Sequence, residues 1–196
     1  IQRDVEGYYH LTPYGETSLI LFKEFEFLSA NREYFKTHTL SKIPIDFVKR
    51  IGELAASVNL SNPIDFFRYT ENLLKESKEF VWLLVDQFPM NSLPTIVKTI
   101  DRDVKLRIIE PRERILNPDL DAMTSEEIQA LSQARHTPLV EERMVDEINA
   151  YLFVSDIRCV VMFPTPNHHY DFKGFTATDD TSLKWCRELF EHCWNK

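Results

Sequence analysis

The side chains best placed for chemistry in this sequence are arginines and carboxylates set at the ends of short apolar runs. Asp86 closes the run that starts at Phe80, and Glu110 and Arg112 follow the run Leu106-Arg107-Ile108-Ile109. In open α/β sheets, ligands gather beyond the C-terminal ends of the strands, so these three residues are candidates for a binding site. A guanidinium fork matches carboxylate and phosphate geometry. Arg107, Arg112 and Arg135 would therefore suit a small anionic effector. An arginine inside a strand must find a counter-charge, a ligand or solvent. For Arg107 the commoner outcome is an ion pair, with Asp86, Glu110 or Asp156; a ligand contact is the alternative.

His38 lies in a connection between two helical patterns. Its ring either bonds a backbone carbonyl and fixes the connection, which is the more usual role, or contacts a ligand and titrates with pH. Tyr69 and Trp82 could line a pocket, although aromatics at these spacings usually belong to a core. His168-His169 with Asp171 and the pair His192-Cys193 invite a metal reading. Adjacent residues on extended chain point in different directions and chelate poorly, so neither metal nor cofactor is expected. Cys186 and Cys193 are seven apart on one helix face, a packing pattern rather than a nucleophile.

Composition narrows the classes further. The chain has 196 residues with 43% hydrophobic and 28% charged residues, an ordinary globular balance with room for one domain and an appendage. Fourteen Phe, seven Tyr and three Trp can fill a substantial core. Four glycines are too few for a phosphate-cradling loop. The net charge of −8 argues against this chain binding DNA by itself. Three cysteines fit no paired framework and suggest free, reduced thiols in the cytoplasm. No apolar run is long enough to span a bilayer. A start at Ile1 without a signal-like segment suggests a piece of a longer protein.

The elements that must position these residues can be read from periodicity. Tyr8 to Leu11 suits a strand. Thr12 and Pro13 then open a helix over Tyr14 to Phe35, with a break expected near Ser29-Ala30-Asn31. Pro44 opens a helix to about Ala56, Asn59 to Pro63 is turn-like, and Ile64 to Lys78 is helical. Phe80–Val85, a helix at Ser92 to Thr99, and Val104–Ile109 form a βαβ crossover, which implies parallel pairing. A Pro-containing charged loop covers Glu110 to Asp121, and a helix runs from Thr124 to about Arg135. Strands follow at Glu142–Ile148, Ala150–Ser155, Cys159–Phe163 and Lys173–Ala177, the middle two as a hairpin. Thr178 or Asp179 caps a final helix carrying Trp185, Phe190 and Trp194. That aromatic helix, or the helix Tyr14 to Phe35, could contribute to a dimer interface.

An ordered set of short motifs carries a resemblance. Tyr9, Leu11, Thr12 and Gly15 look like the wing-to-linker-helix exit of archaeal winged-helix regulators. Arg32-Glu-Tyr-Phe35, His38, Leu40 and Ile43-Pro44 follow, then Trp82-Leu-Leu-Val-Asp86, Leu106-Arg-Ile-Ile-Glu110 and Val154-Ser-Asp156, and finally Trp185-Cys186, Leu189-Phe190 and Trp194. Across nearly the whole chain this set resembles the effector-side domain of the methanogenesis-regulator (filamentation regulator) family of archaeal transcription factors. The resemblance implies a remnant of the wing and linker helix at residues 1–35. It implies an α/β effector-sensing and dimerisation domain at residues 36–196, similar to the phospholipase-D-like sensor domain of archaeal sugar-responsive regulators. DNA would be read by an upstream winged helix, and a homodimer would read two half-sites.

A phospholipase-D enzyme needs His-x-Lys, the His as nucleophile and the Lys on the phosphate. None of His10, His38, His136, His168, His169 or His192 has Lys two residues on. The expectation is therefore a mixed, partly parallel sheet flanked by helices, and a regulatory domain without catalysis. A ligand-free dimerisation scaffold is the alternative, and a phospholipase-D-like phosphodiesterase the more distant one.

Overall fold

Three helices in this chain begin where a side chain accepts from their orphaned N–H groups. Thr12 Oγ1 accepts from Gly15 N at 3.2 Å, with Pro13 in the first turn, and starts α1 (Pro13–Ala30). Asn62 Oδ1 accepts from Asp65 N at 2.9 Å ahead of α4 (Pro63–Glu76). Asp179 Oδ1 accepts from Ser182 N at 3.0 Å and starts the C-terminal helix α6 (Asp180–Trp194). The computed structural model describes residues 1–86, 92–113, 129, 132 and 137–196, with backbone alone at 20, 21, 23 and 24. The expected helix from Thr124, most of the loop from Glu110 to Asp121, and Arg135 lie outside the described residues.

A small antiparallel hairpin, β1 (Gln2–Arg3) with β2 (Tyr9–His10), precedes α1. The expected helix break falls at Asn31. There the Asn31 side chain donates to the Phe27 carbonyl at 3.0 Å, and the short α2 (Arg32–Phe35) restarts the chain. The helix expected from Pro44 to Ala56 is instead two pieces, α3 (Ile45–Val48) and a 3-10 turn at Ile51–Leu54. Each is one turn long, because Phe47, Ile51 and Leu54 all drive into the core from a chain that must bend between them.

Seven strands form one mixed sheet in the order β3-β9-β8-β7-β4-β5-β6. They are β3 (Val58–Leu60), β4 (Phe80–Leu84), β5 (Lys105–Pro111), β6 (Val140–Val145), β7 (Tyr151–Ser155), β8 (Cys159–Met162) and β9 (Gly174–Ala177). The crossover through α5 (Leu93–Ile100) makes β4 and β5 parallel, as expected, and β6 is parallel to β5. The remaining pairs are antiparallel, so the sheet changes character at the β4–β7 boundary. The segment read as turn-like after Asn59 contains part of β3, whose Leu60 pairs with Gly174.

Alternation along the strands divides the core in two. Leu84, Ile109, Leu152, Val154 and Val161 face α6, α2 and the 3-10 turn. Leu83, Leu106, Ile108, Phe153 and Val160 face α4 and α5. Trp185, Phe190 and Trp194 are buried within this first layer, so α6 spends its aromatic face on its own chain rather than on a dimer partner. Gly174 lets β9 approach β8: a Cβ there would meet Val161 O at 2.2 Å. Among the described residues no helix is long and apolar enough to cross a membrane.

Candidate functional site

Strands β4, β5 and β6 run in the same direction and end together, which opens a cleft beyond their C-terminal ends. The cleft has a volume of about 850 Å³. Leu84 forms its floor, Arg112 and the stretch from Met144 to Asn149 one wall, Ser41 and Lys42 another, and His168, Cys193 and Lys196 complete it. A smaller pocket of about 140 Å³ shares Lys42, Asp146, Glu147, Ile148 and His168 with it and adds Asp86, Pro111, Glu113, Pro164 and Tyr170. The larger volume is within the usual range for small-molecule sites.

Local folding places each charged side chain. Arg112 follows β5, where its N–H donates to the Val145 carbonyl at 2.8 Å, and its side chain stands out toward the cleft. The Arg112 guanidinium is 3.4 Å from Asp146 Oδ1, and both groups are largely solvent-exposed. Such a pair is worth at most about 1 kcal/mol, so an incoming anion can replace the Asp146 carboxylate at little expense. Lys42 pairs with Glu147 across the mouth. His168 is carried by a tight loop in which His168 N–H donates to Thr165 O and Thr165 N–H donates to His169 O, both at 2.9 Å. Its φ of 62° lies in the left-handed region, where a residue with a Cβ is held only by its surroundings.

Among the described residues, the large cleft is lined by three cations, Lys42, Arg112 and Lys196, against two carboxylates, Asp146 and Glu147. The adjoining pocket adds the carboxylates of Asp86 and Glu113 and no further cation, so the three cations belong to the larger cleft and the site as a whole carries four carboxylates. Beneath it the field is different. Burial, then the Asp86 carboxylate, pushes the Tyr151 and Tyr170 phenols well above their ordinary range, with Glu110 adding to the effect at Tyr151. These phenols stay neutral and able to donate; the Tyr170 hydroxyl lies 3.4 Å from the Ile148 carbonyl.

Of the residues expected from sequence, the structure brings Asp86 and Arg112 to this site. Arg107 is elsewhere. Its guanidinium carbon lies 5.5 Å from the Trp82 ring and 5.1 Å from the Trp194 ring, with Glu191 Oε1 at 3.1 Å and Glu141 Oε1 at 3.7 Å. The counter-charges expected for it are corrected accordingly. Strand alternation puts Arg107 on the α6 face, opposite to Glu110, while Asp156 Oδ1 accepts from Lys78 N and Glu79 N at 3.1 and 3.3 Å. Tyr69 packs on α4 beneath the guanidinium groups of Arg68 and Arg158, at 5.3 and 5.4 Å.

His38 lines a separate cavity of about 590 Å³ beside Arg32, Asn59 and Lys173. Its ring stacks on Tyr34 at 3.8 Å; Nδ1 is 2.9 Å from the Tyr34 carbonyl and Nε2 is 3.0 Å from Asp171 Oδ1. Lys42, His168 and Lys196 carry no signal in the sequence that marks them as ligand contacts. They lie in connections or at the chain end, and only the turn-forming Pro-Asn around His168 hints at an exposed loop.

No protein-family model matches the sequence, and no curated protein matches it. Solved structures share the fold. The archaeal chromatin protein TrmBL2 is similar over 99% of this chain and 74% of its own, with 17% identity and a TM-score of 0.55. NucT from Helicobacter pylori is similar over 71% of this chain and 94% of its own, with 13% identity and a TM-score of 0.50. Nuc from Salmonella typhimurium, a phospholipase D family member, covers 66% of this chain at 10% identity and a TM-score of 0.46. The sheet and its flanking helices thus have a phospholipase-D-like fold.

This likeness overturns the expectation that the chain is not an enzyme. The fold is one that NucT has too, and a missing His-x-Lys tests only side chains two apart on one strand. Folding brings Lys42 and His168 to the same cleft from distant parts of the chain, so sequence spacing alone does not decide for or against phosphodiester chemistry.

Proposed function

We propose that this chain is the ligand-sensing body of a DNA-binding transcription regulator of the archaeal methanogenesis-regulator family, acting as a pair of chains. In this reading residues 1–35 are the wing and linker helix, and residues 36–196 hold a small carboxylate- or phosphate-bearing effector in the cleft at the ends of β4, β5 and β6. The observation that carries it is the gathering of Lys42, Arg112 and Lys196 on the larger cleft, with Arg112 held only by an exposed pair to Asp146. The likeness to TrmBL2 supports the regulatory part, because it extends through the hairpin and α1, whereas the likeness to NucT covers only 71% of the chain.

The cleft wall suggests how a signal would travel. Lys42 lies in the connection after α2, so an anion that draws Lys42 and Arg112 together engages the segment that continues α1. Such a ligand shifts the position of α1 only to the extent that it binds one arrangement more tightly. A thermal-shift panel of carboxylates and phosphates tests the reading. At about a hundredfold excess over Kd a bound anion should add roughly 2.7 kcal/mol, and Arg112→Ala should remove the effect. Stabilisation by no anion, or stabilisation indifferent to Arg112→Ala, would count against it.

A second reading, phosphodiester hydrolysis in the same cleft, is favoured by His168 and Lys42 both lining it. Turnover of bis(p-nitrophenyl) phosphate that disappears in His168→Ala would replace sensing with catalysis.

A further inference from the structure

The site at the ends of β4, β5 and β6 consists of two adjoining spaces of opposite character. Lys42, Asp146, Glu147, Ile148 and His168 line both. Arg112 and Lys196 line only the larger one, and Asp86 and Glu113 line only the smaller. On the shared boundary, Lys42 is already engaged by Glu147. Each space therefore takes its sign, among the described residues, from the charges it holds alone: two cations in the larger, two carboxylates in the smaller. The negative field of the smaller space registers on its own wall. Burial raises the Tyr170 phenol first, and the Asp86 carboxylate raises it further. The Tyr151 ring, 5.7 Å from that of Tyr170, is raised by burial and then by Asp86 and Glu110. At about 140 Å³ the smaller space is well below the roughly 300 Å³ where ordinary ligand pockets begin, so it has room for one arm of a ligand rather than for a whole one.

We infer that the ligand of this site is a small zwitterion, with a carboxylate or phosphate head on Arg112 and Lys196 in the larger space and a protonated amine on Asp86 and Glu113 in the smaller. This rests on the anion-binding reading above and adds the second charge. A ligand with anionic groups at both ends would push one of them against the two carboxylates. A neutral tail would strip water from those carboxylates and give no donor in return, which is costly. An ammonium brings three donors, and its hydrogen bonds to carboxylate are charge-assisted. Pro111 and Pro164 offer apolar walls beside it for the methylene stem. A bound metal ion fits less well: among the described residues no three carboxylate, histidine or cysteine side chains converge as ligands of one ion.

Calorimetric titration of the chain with two matched pairs tests this: γ-aminobutyrate against butyrate, and aminoethylphosphonate against ethylphosphonate. In at least one pair the amine should bind roughly tenfold tighter than its parent, the scale of one hydrogen bond between charged groups. The pair that shows it tells a carboxylate head from a phosphate-like one. Asp86→Asn with Glu113→Gln should reduce the preference to within about threefold, the scale left by weak surface charge. Glu113→Gln alone, at an exposed position, should reduce it in part and keeps the test decisive if Asp86→Asn does not fold. Arg112→Ala should weaken amine and parent alike. Equal affinities within both pairs overturn the amine and leave anion binding to stand. A preference that survives the two substitutions overturns its placement in the smaller space, and a parent that binds as tightly as the amine once magnesium is added puts a metal ion there instead. If none of the four binds although citrate or pyrophosphate does, the zwitterion alone is overturned; if no anion binds, the anion site falls with it.

Discussion

His38 Nε2 lies 3.0 Å from Asp171 Oδ1 and joins the end of α2 to the loop that leads into β9, 133 residues away. The contact is reinforced on both sides. Tyr34 stacks on the His38 ring, and its hydroxyl accepts from Phe163 N at 2.9 Å; Lys173 Nζ is 2.8 Å from Asp171 Oδ2. Together these groups tie the helices at the N-terminal side to the sheet.

Asp171 therefore carries a pH-dependent share of stability. Partial burial pushes its carboxyl up, but hydrogen bonds from Lys173 and His38 outweigh that and hold it below the ordinary carboxylate range. A carboxyl whose pKa is lower in the folded chain stabilises it at every pH above the unfolded value of about 3.9. That contribution is lost as pH falls through the folded value. Asp171→Asn should lower stability by about 1–2 kcal/mol at neutral pH, and the difference from wild type should shrink in urea melts as pH falls below the unfolded carboxyl value of about 3.9. Equal differences at both pH values would show that the carboxylate charge is not what matters.

Arg107 is clamped rather than available. Its guanidinium lies over Trp82 and Trp194 and beside Glu191. Arg107→Lys keeps the charge but loses the flat face that stacks on indole, so it should cost about 1 kcal/mol and shift tryptophan emission. Anion binding in the cleft should be unchanged. A loss of anion affinity in Arg107→Lys at undiminished stability would move the ligand to this strand.

Gly174 has a steric role that no neutral substitution can fill. Its missing Cβ would meet the Val161 carbonyl at 2.2 Å and Met162 Cα at 3.1 Å, both backbone atoms of the adjacent strand. Gly174→Ala should destabilise by at least about 2 kcal/mol, chiefly by prying β9 and with it β3 from the sheet. Chemical denaturation reads this directly, and a change within about 0.5 kcal/mol would mean the strands can part without penalty.

The readability of this fold in its sequence follows from how locally each element is determined. The capped starts at Thr12 and Asp179, and the apolar strands β4, β7 and β8, are legible because residues adjacent in sequence specify them. β3 is not legible. Val58-Asn59-Leu60 has three residues beside a turn-forming Asn and Pro, and it becomes a strand by pairing with Gly174 to Thr176 more than a hundred residues away. The single helix expected after Pro44 fails for the opposite reason, since its apolar period is real but serves two separate turns packed into one core.

The cleft is half legible. Asp86 and Arg112 follow from the rule that ligands gather at strand ends, and both line the site. Lys42, His168 and Lys196 come from connections whose position only the tertiary fold decides. Arg107 departs from expectation because its face on the strand, not its position in sequence, selects its partners; Glu191 enters from α6.

The most direct test of anion binding in the cleft is amide chemical-shift mapping during titration with pyrophosphate and, separately, citrate. The account predicts saturable shifts concentrated at Lys42, Arg112, Asp146 to Asn149 and His168, abolished by Arg112→Ala with no more than about 0.5 kcal/mol change in stability. Saturable shifts centred on Tyr69 or on the His38 cavity, or no saturable shifts with either anion, would contradict it.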